Sequence, residues 1–356
     1  MTLHIKHVNF AKGFRGGERQ TLNLIEGLAT VGVPQILVCR PGSELQVRAE
    51  RIGVATRPIG HPLSGHLQAL RSNSVHVHEA RGAYWAMIEQ VLRGSPYLIT
   101  RRIPNPVSNS VVNRFVFRRA AELVGVSRDV SARLAEQTGH TVSTILDSCT
   151  VHPVDMQRTA AIKAQLGGGS GPIIGHVGAL YDHHKGQSIL IAAFHQLLVH
   201  FPNARLVLLG EGPDKDEFIR LARKDSRIVF AGFQEDVGSW LAAMDLFAFP
   251  SREEGLGSSV LDAMLLGVPV VSAAVGGLPE LIGNDERGLM VHSTVPSEWA
   301  AAMRRFLDDD VLRQNLRNAA LSFAQANNVA AMTSQYLAIY HRILNARHSS
   351  PSIASI

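Results

Sequence analysis

The sequence is poor in cysteine: among 356 residues only Cys39 and Cys149 carry a thiol. Both lie in or beside apolar segments, which argues against a disulfide scaffold and for a reducing cytosol. Zinc sites built on paired cysteines are excluded by number and spacing. The 16 histidines form no HExxH or comparable pattern, so no metal is expected. Long apolar runs are missing as well. The alternating stretch Met1–Phe10 is too short for the apolar region of a signal peptide. No other run approaches the roughly 20 residues of a spanning helix. A cytoplasmic protein is expected, free or peripheral on a membrane.

What is present describes a packed globular chain: 46% hydrophobic and 18% charged residues, far from a disordered composition. The length exceeds one ordinary core and points to two domains. Charge is uneven between the halves. Residues 1–160 hold 19 Lys and Arg against 11 Asp and Glu, and residues 161–356 hold 16 against 19. The basic N-terminal half is the one to meet a negatively charged partner.

Short β-rich runs alternate with amphipathic helical windows, the pattern of a parallel α/β sheet. In the first half strands are expected at Leu3–Val8, Gln35–Cys39, Val75–His78, Tyr97–Thr100, Ala121–Val126 and Thr141–Leu146. Thr21, Leu24, Ile25 and Leu28 recur at helical spacing and predict one buried face. Gly167–Pro172, with four glycines and a serine, is the strongest linker signal. A second alternation follows, with strands at Ile173–Val177, Arg205–Leu209, Arg227–Phe230, Leu246–Phe249 and Val268–Ser272. Helices are expected at Gln187–His200, Ser258–Leu266, Trp299–Leu307 and Met332–Leu344, and a frayed tail from Arg347. Two domains, 1–152 and 153–330, are expected, with the helix 331–346 joining the first. Ligands of such sheets bind beyond the carboxyl ends of the strands.

Five features carry candidate chemistry. Gly16-Gly17-Glu18-Arg19 follows strand one and opens a helix, where close backbone approach and free amides suit an anion; a plain tight turn reads equally well. Gly178-Ala179-Leu180 with His183-His184-Lys185-Gly186 sits at the next unit's first strand end. Lys185 there is either a point charge for a diphosphate or a solvated surface lysine. Neighbouring histidines point apart on a regular element, which disfavours a metal at His183 and His184. Gly210-Glu211-Gly212-Pro213 closes a strand in a turn with room for a flat ligand. In Pro250–Met264, Glu254 precedes a helix and Asp262 lies eight residues on, about two turns. Both carboxylates are then placed to accept from sugar hydroxyls, or else serve as a cap and a solvent-facing acid. Ala274–Glu280 is a glycine turn after a strand.

In this order, the features resemble glycosyltransferase family 4 on the two-lobed GT-B fold, two Rossmann-like lobes with parallel sheets facing a central cleft. The resemblance runs from Gly16 to about Leu307 and is most specific at the E-x7-E element, here Glu254 to Asp262, followed by Gly267–Val271. It implies a retaining transferase that uses a nucleotide-diphosphate sugar and no bound metal. UDP is the expected nucleotide, with GDP and ADP as alternatives. By the same resemblance Lys185 neutralises the departing diphosphate, Glu254 holds donor-sugar hydroxyls and Asp262 the ribose. Gly212, Gly255, Leu256 and Gly257 border the donor, Gly16 and Gly17 meet its phosphates from the other lobe, and His78 lies near the reacting sugar. A strand-end histidine satisfied by its own lobe is the alternative for His78. Two positions depart from the family: Ala179 stands where an arginine is usual, with His184 or Arg252 as possible substitutes, and Asp262 replaces a glutamate.

On the acceptor side, Arg101, Arg102, Arg114, Arg118 and Arg119 occur without an intervening acid, beside Val111, Val112, Phe115 and Val116. They read as an anionic-membrane or acidic-acceptor surface, or as a core-facing helix with a basic edge. No nucleic-acid motif accompanies them. Family habit points to a glycan or glycolipid acceptor in bacterial envelope synthesis of the lipopolysaccharide kind. A catalytically weak sugar-nucleotide scaffold and a GT-B epimerase are the alternatives.

Overall fold

The alternating pattern folds into two separate all-parallel sheets. A computed structural model describes residues 3–61, 64–66, 72–167 and 169–349. The first sheet holds β1 (Ile5–Asn9), β2 (Gln35–Cys39), β3 (Ala55–Pro58), β4 (Ser74–Val77), β5 (Tyr97–Arg101), β6 (Glu122–Gly125) and β7 (Ser143–Thr144), in the order β3-β2-β1-β4-β5-β6-β7. The second holds β8 (Ile173–Val177), β9 (Arg205–Leu209), β10 (Ile228–Gly232), β11 (Leu246–Phe249), β12 (Val270–Ala273) and β13 (Leu289–Val291), ordered β10-β9-β8-β11-β12-β13. The central strands are covered on both faces, as parallel sheets require; every residue of β1 and β11 is buried.

The chain divides into two units, Met1–Ser148 with Asn328–Ile356, and Cys149–Asn327. The helix Gly16–Thr30 buries Thr21, Leu24, Ile25 and Leu28, the face read from their spacing. The helix Val329–Ser349 closes the first unit. Its Met332, Tyr336, Ile339, Tyr340, Ile343 and Leu344 pack with Leu24, Leu28, Leu98 and Val124. The two helices approach so closely that a Cβ on Gly27 would lie 2.0 Å from Thr333 Oγ1.

The structure departs from the sequence reading in three places. The expected strand Thr141–Leu146 shrinks to two residues, and two edge strands carry no signal, β3 because none of its residues is buried and it ends in a proline, β13 because it has only three residues. The division falls between 148 and 149 rather than 152 and 153. The glycine-rich stretch is no hinge between domains: its described residues, 167 and 169–172, lie inside the second unit, between the helix Met156–Gln165 and β8. There Gly167 has φ +115° and a Cβ on Gly171 would meet Asn203 O at 2.4 Å, so these glycines serve tight packing. Gly168 and residues 350–356 of the expected frayed tail lie outside the described residues. Among the described residues no helix is long and apolar enough to cross a membrane.

In each sheet the chain winds outward in one direction, then returns to the centre and continues in the other. The reversal falls between β1 and β4 in the first unit and between β8 and β11 in the second. Loops diverge at such a point and leave a crevice at the carboxyl ends of the two strands.

Candidate functional site

In the second unit the loops after β8 and β11 meet at that reversal. Lys185 ends a single helical turn, Asp182–Lys185, and Gly186 then takes the left-handed conformation with φ +64°. Side-chain crowding explains the glycine, since a Cβ there would lie 2.2 Å from Pro250 O. The Arg252 amide donates to His184 O at 2.8 Å, tying the two loops together. Across them Lys185 Nζ donates to Glu254 Oε2 at 2.5 Å, with both side chains partly open, 22% and 16% exposed. The ammonium also sits 5.0 Å from the centre of the Phe249 ring, a favourable cation–π placement.

Beneath the lysine the site is rigid and uncharged. His176 is buried, its Nδ1–H donating to Ala248 O at 3.0 Å while Nε2 faces the Gln187 amide at 3.4 Å. Burial holds its pKa down to about 4, so the ring is a neutral spacer stacked on Phe249, not a competing cation. A Cβ on Gly178 would lie 3.1 Å from His176 Nε2 and 3.8 Å from Lys185 Cδ.

The remaining expected donor residues are placed as follows. Gly212 packs against Leu180, whose carbonyl oxygen a Cβ would approach to 2.2 Å, so it shapes the loop after β9. Gly255, Leu256 and Gly257 are buried. Leu256 therefore offers backbone rather than side chain, and Gly257, at φ +96°, opens the helix Ser258–Leu265. Gly276, at φ +55°, backs Glu254: a Cβ would meet Glu254 O at 1.8 Å. Asp262 is not brought to Glu254's partner. Its Oδ1 accepts from the Thr150 amide at 2.7 Å and its Oδ2 from His152 Nε2 at 2.9 Å. Glu254 precedes the helix as expected, whereas the Asp262 carboxylate is taken up by the unit's own first residues rather than left open for a ligand. Of the substitutes for the missing arginine at Ala179, Arg252 pairs with Asp182 at 3.4 Å and His184 with Glu253 at 3.2 Å.

In the first unit Gly16 and Gly17 open the 15-residue helix after β1, and His78 directly follows β4. His78 is buried within a group that spacing along the chain did not reveal: the ligand atoms of His7, His76 and His78 lie within 4.8 Å of one another. The strand pairing makes the group, because the β1–β4 register sets His7 opposite His76. Each ring nitrogen has a protein partner. His7 meets His78 Nε2 and Gln35, His76 meets the hydroxyls of Tyr340 and Thr100, and His78 Nδ1 faces Arg102 at 3.4 Å. Burial depresses all three pKa values, that of His7 to about 3. A neutral, internally satisfied cluster beside a guanidinium is a poor cation site.

The five arginines separate. Arg102 is turned inward, 8% exposed, with its Nε donating to the equally buried Asp147 at 3.1 Å. Arg101, on β5, is half-buried and donates to Asn105 O at 2.5 Å. Arg114, Arg118 and Arg119 are exposed on the helix Val111–Arg119, where Val111, Val112 and Phe115 are 73%, 53% and 49% exposed. The single patch expected from sequence is thus a three-arginine surface beside an apolar edge.

Residues 171–309, which include the whole Lys185–Glu254 site, match the family described as glycosyl transferases group 1. The D-inositol 3-phosphate glycosyltransferase of Corynebacterium aurimucosum is 35% identical over 180 residues, spanning 47% of this chain and 42% of that protein, so the match covers under half of that relative. The 2-deoxystreptamine N-acetyl-D-glucosaminyltransferase of Streptomyces fradiae is 29% identical over 83% of this chain and 79% of its own. The crystal structure of Anabaena HepE in complex with UDP and glucose superposes with a TM-score of 0.82 at 19% identity, covering 96% of this chain and all of that one. The two parallel Rossmann-like sheets give the chain the GT-B fold of such structures, and its second unit carries the segment that matches the group 1 glycosyltransferases.

Proposed function

We propose that the chain moves a hexose-type sugar from a nucleotide diphosphate, UDP first among the candidates, to a hydroxyl of a glycan or glycolipid acceptor, with retention at the anomeric carbon and without a bound metal. The observation that carries this reading is the Lys185–Glu254 pair at the β8–β11 reversal. Breaking the anomeric bond leaves an oxocarbenium-like sugar and a diphosphate of growing charge. A fixed ammonium aimed at that diphosphate acts mainly in the transition state, and removing one such group costs roughly 10²–10³ in rate. Glu254, paired with the ammonium in the free protein, turns to the sugar hydroxyls when the diphosphate takes the lysine. Arg252, on the loop tied to His184, supplies the second cation that Ala179 lacks. The leaving diphosphate accepts the acceptor's proton, which removes the need for a separate base.

Envelope synthesis of the lipopolysaccharide kind at the inner face of the plasma membrane fits the three exposed arginines and their apolar neighbours, which suit an anionic surface. Sedimentation with anionic vesicles is expected for the native chain and lost on replacing Arg114, Arg118 and Arg119 by glutamate. Equal sedimentation of both would remove the membrane from the proposal.

The donor is tested by thermal stability against UDP-, GDP- and ADP-sugars and the free nucleotides in chelator. A shift of several degrees for one nucleotide, lost in Lys185→Ala, is expected. A folded protein that shifts with none of them contradicts the reading. A second reading, a sugar-nucleotide scaffold without turnover, draws on Ala179 and the occupied Asp262; binding without release of the free nucleotide in the presence of acceptors would favour it.

A further inference from the structure

One buried cation in the first unit has a donor left over. Arg102 Nε is held by Asp147 Oδ1 and Nη1 lies 3.4 Å from His78 Nδ1, but Nη2 is buried without a partner. A buried donor left unpaired is costly, and a guanidinium more than most. Beside it stands a helix head: a Cβ on Gly17 would lie 3.8 Å from Arg102 Cδ. The first-turn amides of an α-helix have no partner within the helix. Here the Glu18 carboxylate turns back to the Arg15 amide at 2.9 Å, and the first intrahelical bond runs from Arg19 N to Arg15 O.

The orientation of that guanidinium is set by a chain of hydrogen bonds that admits one assignment. Gln35 donates through Nε2 to Ile25 O at 2.7 Å, so its Oε1 accepts from His7 Nε2 at 3.1 Å. A neutral His7 protonated on Nε2 has a bare Nδ1, which accepts from His78 Nε2 at 2.9 Å. His78 in turn presents a bare Nδ1 to Arg102. Gln35, His7 and His78 act through Arg102 as positioning residues, and Asp147 fixes the other edge of the fork. Only Nη2 is left to bind something.

We propose that Arg102 Nη2 and the Gly16–Gly17 amides form an oxyanion site for a phosphoryl or similar anionic group of a substrate, with Arg102 as its side-chain ligand. The inference rests on the glycosyltransferase reading for what carries the anion, either the donor's diphosphate or an acidic group on the acceptor. Arg102 is thereby withdrawn from any membrane surface and given to a substrate. The helix dipole and the guanidinium act on the same group, and a planar fork cannot be replaced by an ammonium without loss.

The test titrates inorganic phosphate into the full chain, with and without saturating UDP, and compares Arg102→Lys and the double variant Arg102→Gln/Asp147→Asn. The double variant removes both charges together and leaves no lone buried carboxylate. Phosphate affinity is expected to fall at least tenfold in both variants while their melting curves remain cooperative. Arg102-dependent binding that persists with UDP assigns the site to the acceptor; binding that UDP displaces assigns it to the donor diphosphate. Equal phosphate affinity in the native chain and both variants overturns the site. Arg102-dependent phosphate binding by a protein that ignores UDP keeps the site and sinks the glycosyltransferase reading instead.

Discussion

Removing an imidazolium from water costs enough that His7, His76, His78 and His176 are all held below the ordinary histidine range, His7 at about 3 and His176 at about 4. In the unfolded chain each titrates near 6.5. As pH falls the unfolded state takes up protons first, so stability is complete above about 6.5 and declines toward pH 4. A histidine held neutral throughout loses about 2 kcal/mol between pH 6.5 and 5. Urea midpoints measured at pH 7.5 and 5 are expected to drop sharply, and nitrogen shifts of His7 and His78 at pH 6 to report neutral rings protonated on Nε2. A flat stability profile across that range contradicts the buried-neutral assignment. His78 was legible as a strand-end histidine, and Lys185 as a lysine on the loop after the second unit's first strand. The trio was not, because it exists only through the β1–β4 register. Arg102's inward turn was also hidden: in sequence it is one of five similar arginines, and only the buried Asp147, 45 positions on, separates it from the others.

Glycines in the connecting loops divide by what surrounds them. Gly276 and Gly42 both have positive φ, +55° and +67°, but a Cβ on Gly276 would strike Glu254 O whereas Gly42 has nothing within 4 Å. Gly42→Ala should cost about 1 kcal/mol in backbone strain and leave nucleotide affinity untouched. Gly276→Ala should cost more and weaken UDP-sugar binding severalfold by displacing Glu254, with free UDP less affected. Melting temperature and titration with a UDP-sugar on both variants check this; equal UDP-sugar affinity in the two would mean that Glu254 does not need that support. The same distinction explains where the sequence misled. A run of glycines suggests a flexible hinge, but Gly171 is there because Asn203 leaves no room for a side chain. The mostly buried apolar strands β8, β9 and β11 were legible to the residue, whereas the edge strand β3 buries none of its four residues and β13 has only three, so neither carries a pattern.

The units are interleaved along the chain, since residues 149–327 form one body and the stretches on either side form the other. Cutting the chain before Val329 removes the helix whose Tyr336 and Tyr340 are fully buried against the first sheet. Loss of several large buried side chains costs far more than the few kcal/mol by which a domain is stable. Hydrogen exchange on the truncated chain is expected to show β1 and β5 unprotected while β8 and β11 stay protected; equal protection of both sheets would mean that the helix is dispensable. The basic excess of the N-terminal half persists in the first unit, divided between the buried Arg102 and the exposed Arg114, Arg118 and Arg119. The interleaving also sets an order of birth. On the ribosome the first seven strands emerge early yet lack the helix that seals them until the second unit has been made. At about 5–20 residues per second, that unit's 179 residues, 149 to 327, impose a wait of roughly 10–40 s with apolar surface uncovered. The unit made second is free to finish folding first, while the first waits with its sheet unsealed.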